Sequence, residues 1–264
     1  RPNPDGYDFA NFGTTPQGDF TVDDLIQMFG RSAVCTNASG DCQVRQAAEA
    51  WRAQVLGWMS GGHCDGFTTT SLRFFKDIDQ PATYQNGASA THDLALANIR
   101  RRISYFWALQ VPNPVGAARD NALNKTPTQV LQQLYLAMSG SAPDPTTLIV
   151  YNTARTSGHS ITPYAIEDAG NGVYRVRVYD NNYPNDSARF VTINTSNNTW
   201  SYNLGGGLGT WSGTETSHSL GAIAVSTYAQ SPACPWCAGA LQTLSYPPPA
   251  LGPAATAMVQ TALA

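Results

Sequence analysis

Residues 157–184 read SGHSITPYAIEDAGNGVYRVRVYDNNYP. Two runs rich in β-branched and aromatic residues, "HSITPYAIED" and "GVYRVRVYD", flank the turn "AGNG", which is the signature of a β-hairpin. Alternation along the second run puts Tyr174, Val176, Val178 and Asp180 on one face and Arg175, Arg177 and Tyr179 on the other. An acid therefore ends an apolar strand face. On the neighbouring strand His159 stands at the mouth, directly after Gly158. A carboxylate so placed can reach the imidazole and hold its tautomer, or the two can form an ordinary surface hydrogen bond.

The hairpin sits among similar segments. "TTLIVYN" precedes it, and "ARFVTIN", "NTWSYN" and "GAIAVSTYA" follow, separated by Gly, Asn and Asp turns. Upstream of Pro145 the period changes. Thr21 reads as an N-cap before Leu25, Ile26, Met28 and Phe29, and Val44, Ala47, Ala48, Trp51, Val55 and Trp58 recur at helical spacing as far as Met59. Gly61-Gly62 breaks that helix, and another begins near Cys64 and runs to about Phe75. "THDLALANIRRRISYFWAL" reads as a third helix capped by Thr91. "TPTQVLQQLYLAMSG" reads as a fourth, with Thr126 as cap, Pro127 at the first helical position and Gly140 as stop. Helices first and antiparallel strands second predict an α+β fold: a helical lobe over about 20–140 packed against a sheet lobe over about 145–230. Residues 231–264 form a Pro/Ala-rich C-terminal tail with two cysteines.

The chain has 264 residues, 42% of them hydrophobic, enough for a sizeable core. Charged residues are only 12%, where about 25% is usual, and Ser, Thr, Asn, Gly and Tyr replace them, a composition in keeping with secretion to the extracellular space. The net charge of −3 offers nothing to nucleic acid, and Arg100-Arg101-Arg102 reads as a solvated helix face. No apolar run approaches the roughly 20 residues of a bilayer-spanning helix, so no membrane partner is expected. Cys35 and Cys42 bracket the turn "TNASGD", and Cys234 and Cys237 form "CPWC"; both read as local disulfides. The gap between Cys35 and Cys42 is too long for the usual zinc spacing, and no βαβ pattern makes "CPWC" a redox motif. "LGGGLG" lacks the Lys and helix of a phosphate loop, and "DNNYPND" lacks EF-hand spacing. Neither a cofactor nor a metal is expected.

Cys64 is the odd thiol. A helix start lowers a thiol's pKa through the helix dipole and unpaired N–H groups, and Gly61, Gly62 and Gly66 keep side chains away from the sulfur while leaving N–H groups free for an oxyanion. The same position also suits an inert core cysteine. Among the other histidines, His63 adjoins Cys64 but points elsewhere, His92 lies in a helix start, and His218 lies in a polar turn. His159 is the candidate base.

"GGHCDGF" followed by "SGHSITPYAIEDAGNGVYRVRVYDNNYP" resembles the papain-like cysteine peptidases, in particular secreted bacterial members with a "GHC-x-G" helix start before a "GHxxxxY…YDNNxP" hairpin. The resemblance covers roughly residues 6–228, with only the two motif segments specific. It implies a papain-like catalytic domain over 1–230, with Cys64 as nucleophile, His159 as general base and later acid, and Asp180 as the group that orients the imidazole. It further implies a protein or peptide substrate, hydrolysis through a thioester, and a monomer. The family's oxyanion glutamine falls on Trp58 here, so the Cys64 backbone N–H is the expected donor, with Gln54 the nearest upstream glutamine. Asp65 replaces the family's aromatic after the nucleophile, and it is expected to point away from the sulfur. Asn181 or Asn182 replaces Asp180 if the strand register slips. The same triad serves amidases, isopeptidases and transglutaminase-like transferases. A catalytically silent module is the alternative from another class, binding a protein or polysaccharide through exposed Trp200, Tyr202 and Trp211. The sequence leaves open whether residues 1–20 or 231–264 cover the groove.

Overall fold

A computed structural model describes residues 1–13, 18–140, 144–237 and 247–252. The chain is mixed, with helices preceding an antiparallel sheet. The helices are α1 (Pro2–Asp5), α2 (Val22–Phe29), α3 (Arg31–Val34), α4 (Gln46–Met59), α5 (Cys64–Phe75), α6 (Leu96–Leu109), α7 (Val115–Leu123) and α8 (Pro127–Ser139). The strands are β1 (Thr146–Tyr151), β2 (Gly158–Gly170), β3 (Val173–Tyr179), β4 (Phe190–Asn194), β5 (Thr199–Asn203), β6 (Thr210–Gly213) and β7 (Leu220–Ala224). They form one sheet in the order β6-β5-β4-β3-β2-β1-β7, with every neighbouring pair antiparallel.

Local signals explain most of these boundaries. Thr21 and Asp24 form a capping box at the start of α2, and Thr126 with Gln129 does the same for α8 behind Pro127. Gly62, at a φ of 141°, turns the chain between α4 and α5. The third expected helix is divided: Thr91–Asp93 is a short 3-10 turn, and α6 begins only at Leu96, so Thr91 does not cap it. Helix α7 and strand β6 carry no strong cap or alternation, and the sequence reading omits them. "GAIAVSTYA" is β7 followed by a 3-10 turn over Val225–Ala229.

Strand β1 lies between β2 and the edge strand β7 and is buried along its whole length. Leu148 and Val150 join an apolar cluster with Val130, Leu131 and Leu134 of α8 and the inner residues of β2–β5. Ile149 and Tyr151 join another cluster with α2, α4, α6 and α7. Covered on both faces, β1 is a continuous apolar run rather than an alternating one.

The arginine run of α6 is not a free face. Arg100 pairs with buried Asp19, Arg101 with Asp24 and Arg102 with Asp79, while Arg100 and Arg102 also lie over aromatic rings. The run therefore fastens α6 to the N-terminal segment and to the turn after α5. Cys35–Cys42 and Cys234–Cys237 are disulfides, and Cys64 is the free thiol. Trp236, inside "CPWC", donates to Ala33 O at 3.0 Å and packs on Phe29 and Trp51, which anchors the start of the tail on the helices. The rest of the tail expected over 231–264 lies outside the described residues at 238–246 and 253–264. Among the described residues no helix is long and apolar enough to cross a membrane.

Candidate active site

Helix α5 begins at Cys64, as the glycine pair before it demands, and packs against β2 and α6. Gly66 owes its place to α6: a Cβ there would lie 2.0 Å from the Ile103 carbonyl oxygen. It does not clear space at the sulfur, as the sequence suggested. Gly61 and Gly62 meet residues 250–252 instead. The N-terminal segment crosses α5 and the end of β3. Tyr7 donates from its hydroxyl to Thr70 Oγ1 and from its backbone to Tyr179 Oη, and Asn11 N donates to Asn181 O at 2.8 Å.

His159 and Asp180 meet at the ends of β2 and β3. His159 Nε2 lies 2.8 Å from Asp180 Oδ1, and both side chains are buried. Strand β2 shifts register against β3 between Pro163 and Ala165 and again between Asp168 and Gly170, yet at the strand end Thr162 lies opposite Tyr179, and Asp180, rather than Asn181 or Asn182, faces the imidazole. Asp180 also accepts from Asn182 N at 2.9 Å, Arg189 Nε at 3.1 Å and the Tyr202 hydroxyl. Burial pushes this carboxyl upward, but His159, Arg189 and Tyr202 outweigh it and hold the pKa at about 2. An ionised Asp180 obliges Nε2 to carry the ring hydrogen. Nδ1 is then the bare acceptor, and it has no hydrogen-bond partner among the described residues.

Asn181 and Asn182 do other work. Asn181 Nδ2 donates to the carbonyls of Ser160 and Cys64, at 2.9 and 3.3 Å, and ties β2 to the start of α5. The backbone N–H groups of Ser160, the residue immediately after His159, and of Asp65 favour the Cys64 thiolate. No thiol–imidazole hydrogen bond is present among the described residues.

The thiol departs from the expectation of a lowered pKa. Cys64 is fully buried, and burial pushes its pKa far up, with further increases from the charges of Asp65 and Asp180. The N–H groups of Ser160 on β2 and Asp65 at the helix start offset only part of that rise. Asp65 does not leave the neighbourhood, as expected. It turns inward, accepts from the Tyr228 hydroxyl at 2.8 Å, and is itself raised to about 6 by burial. Removal of the sulfur from water opposes the thiolate more strongly than the helix terminus favours it.

Gln54 is exposed on α4 and cannot serve the buried sulfur. The side chain near the helix start is Asn11, in a loop the sequence gave no reason to single out. Its Oδ1 accepts from His63 N at 2.7 Å, and its Nδ2 donates to Asn182 Oδ1 and to the carbonyl of Leu251, each at 3.1 Å. His63 donates Nδ1–H to Phe12 O and stacks on the Phe12 ring, while burial lowers its pKa to about 4. His92 and His218 bond the backbone carbonyls of Gly6 and Leu123.

Two further residues were misread. Trp200 and Tyr202 were expected on an exposed binding surface but are buried, Trp200 donating to Ser219 Oγ and Tyr202 to Asp180. Arg189 and Tyr202 are thus the support of the His159–Asp180 pair, and only the strand order could have revealed them. Among the described residues no three His, Cys, Asp or Glu gather as a metal site. A groove of about 560 Å³ lined by Leu72, Phe75, Leu134, Met138, Pro163 and Tyr164 opens by the C-terminal end of α5, far along the helix from Cys64. In comparisons with known proteins, no family model, curated protein or solved structure matches the chain.

Proposed function

We propose that the chain is a secreted cysteine peptidase of the papain-like kind, folded here with its thiol covered. One observation carries the reading. Cys64 opens α5, which packs on the strand that carries His159, while Asp180 holds one nitrogen of that imidazole and leaves Nδ1 bare. The chain order of Cys, His and acid, and their placement on a helix start and two neighbouring strands, agree with the motif resemblance. Two disulfides fit an oxidising compartment.

In the reaction, Nδ1 of His159 takes the Cys64 proton and the sulfur adds to the carbonyl carbon of a peptide bond. The Cys64 N–H, which has no carbonyl within its own helix to bond, and Asn11 Nδ2 are placed to receive the oxyanion. The C–N bond then breaks as the imidazolium returns its proton to the leaving amine. Water, deprotonated by His159, hydrolyses the thioester, releases the acid and restores the thiol.

The burial of Cys64 and its raised pKa favour a second reading, a silent papain-like module that holds a peptide without cutting it. Incubation of the native, unreduced protein with an epoxide inhibitor of cysteine peptidases, followed by peptide mapping, separates the two. Labelling confined to Cys64 and lost in His159→Ala supports the peptidase. Labelling that is equal in His159→Ala, or absent even when residues 247–252 are displaced, supports the module.

A further inference from the structure

Residues 247–252, Pro-Pro-Pro-Ala-Leu-Gly, lie as a strip between the two segments that carry the candidate nucleophile and base, turning at Ala250 so that two successive N–H groups meet one carbonyl. The strip is held almost wholly through its backbone. Pro247 O accepts from Tyr151 Oη at 2.8 Å, and Pro249 O from Trp107 Nε1 at 3.0 Å. The N–H groups of Ala250 and Leu251 both donate to the carbonyl of Gly158, the residue before His159, at 3.1 Å. On the other side Gly252 N donates to Gly61 O at 2.8 Å, two residues before His63. The carbonyl of Leu251 accepts from Asn11 Nδ2 at 3.1 Å and Asn182 Nδ2 at 3.3 Å.

Main-chain bonds of this kind recognise a peptide whatever its sequence. The side chains add selectivity. Leu251 is buried in the apolar cluster that contains Trp200, Tyr202 and Leu204. At 252 only glycine fits, because a Cβ would lie 2.9 Å from Gly61 O and 3.2 Å from Gly62 Cα. The cleft wall is equally committed: a Cβ on Gly62 would lie 2.7 Å from Gly252 N, and one on Gly61 2.9 Å from Ala250 O. The glycine pair before Cys64 is therefore the floor on which a peptide backbone rests.

We propose that residues 247–252 are an intramolecular ligand of the cleft, and that its external substrates are peptides held through the same backbone contacts, with a leucine-like side chain followed by glycine and a small residue and prolines before it. The inference rests on the peptidase reading for the word substrate, but the occupancy of the cleft stands on the contacts alone. The carbonyl held by the Asn11 and Asn182 amides is that of Leu251, and the bond proposed for attack is the one that follows it, between the leucine and the glycine. The strip covers the residues before both Cys64 and His159 and competes with any peptide from outside. A tethered segment competes at an effective concentration on the order of millimolar.

The test uses the full chain and three measurements. Gly252→Val, whose side chain strikes the Gly61–Gly62 backbone, and Leu251→Ser, which empties the apolar site, are compared with wild type. Binding of fluorescently labelled Pro-Pro-Pro-Ala-Leu-Gly amide is followed by anisotropy, and alkylation of Cys64 by iodoacetamide is followed by mass spectrometry. Each variant should bind the peptide at least about tenfold more tightly than wild type and label at least about tenfold faster. A reversed-order peptide should bind at least about tenfold more weakly than the native order. Hydrogen exchange on wild type needs no variant, and the amides of Ala250, Leu251 and Gly252 should be protected. Exchange of these amides at free-peptide rates, equal binding of both peptides, or folded variants that bind and label as wild type does would overturn the proposal. Peptide binding gained without cleavage sustains it and removes the peptidase reading. Cleavage of an external peptide that is indifferent to both tail variants does the reverse.

Discussion

The Nε2 atom of His159 lies 2.8 Å from Oδ1 of Asp180, with both side chains out of water. Arg189 and Tyr202 occupy the other carboxylate oxygen. An acid held this way is fixed in charge as well as in position, and it fixes which nitrogen of the imidazole is free.

That charge gives the first prediction. The pKa of Asp180 is about 2 in the fold and 3.8 ordinarily, so the group stabilises the protein above pH 4 and ceases to as pH falls through 2. The amount is on the order of 2 kcal/mol. Urea denaturation between pH 2 and pH 5 should show this loss in wild type. Asp180→Asn should lose less stability than wild type across that window by this amount, and be less stable at neutral pH because Arg189 is left beside an uncharged partner.

Asp65 has the opposite sign. Burial raises its pKa from 3.8 to about 6, so the fold prefers the protonated form. The contribution is complete below pH 4 and lost as pH rises through 6, on the order of 3 kcal/mol. Asp65→Asn keeps an acceptor for the Tyr228 hydroxyl and removes the charge. The variant should therefore be more stable than wild type near neutral pH and equal to it at pH 4. Removing that charge also eases ionisation of Cys64, so the alkylation rate profile should move to lower pH. An unchanged profile would mean that Asp65 does not act on the sulfur.

Two glycines in neighbouring helices should respond oppositely to alanine. Gly66→Ala drives a methyl into the Ile103 carbonyl and should cost about 1–3 kcal/mol, read as a fall in Tm. Gly57, on the exposed side of α4, has open space at its Cβ position, and Gly57→Ala should stabilise by about 0.5–1 kcal/mol. Equal effects at the two sites would contradict the close approach of α5 to α6.

Much of this architecture was legible in local sequence. The Gly61-Gly62 break set the start of α5 at Cys64, the box of Thr126 and Gln129 set α8, and alternation in the hairpin put Asp180 on the face that meets His159. What escaped was non-local. Asn11 sits in a loop far from Cys64 in sequence, and no period marks it. Tyr202 reads as a surface residue, and nothing in the sequence singles out Arg189, until the order β5-β4-β3 brings them to Asp180. The pKa of Cys64 depends on its full burial and on an adjacent acid that turns inward, neither of which a helix-start motif encodes. Helix α7, between Pro114 and Asn124, has no side-chain cap to announce it.

The central claim is that the Cys64 sulfur attacks a peptide carbonyl once the cleft is free. The most direct measurement mixes full-chain Gly252→Val with a peptide containing Pro-Pro-Pro-Ala-Leu-Gly, quenches in acid within seconds, and weighs the intact protein. The account predicts an added mass equal to the peptide's acyl portion, located on Cys64 and missing from the double variant with Cys64→Ala. Cleavage that continues in the double variant would contradict it.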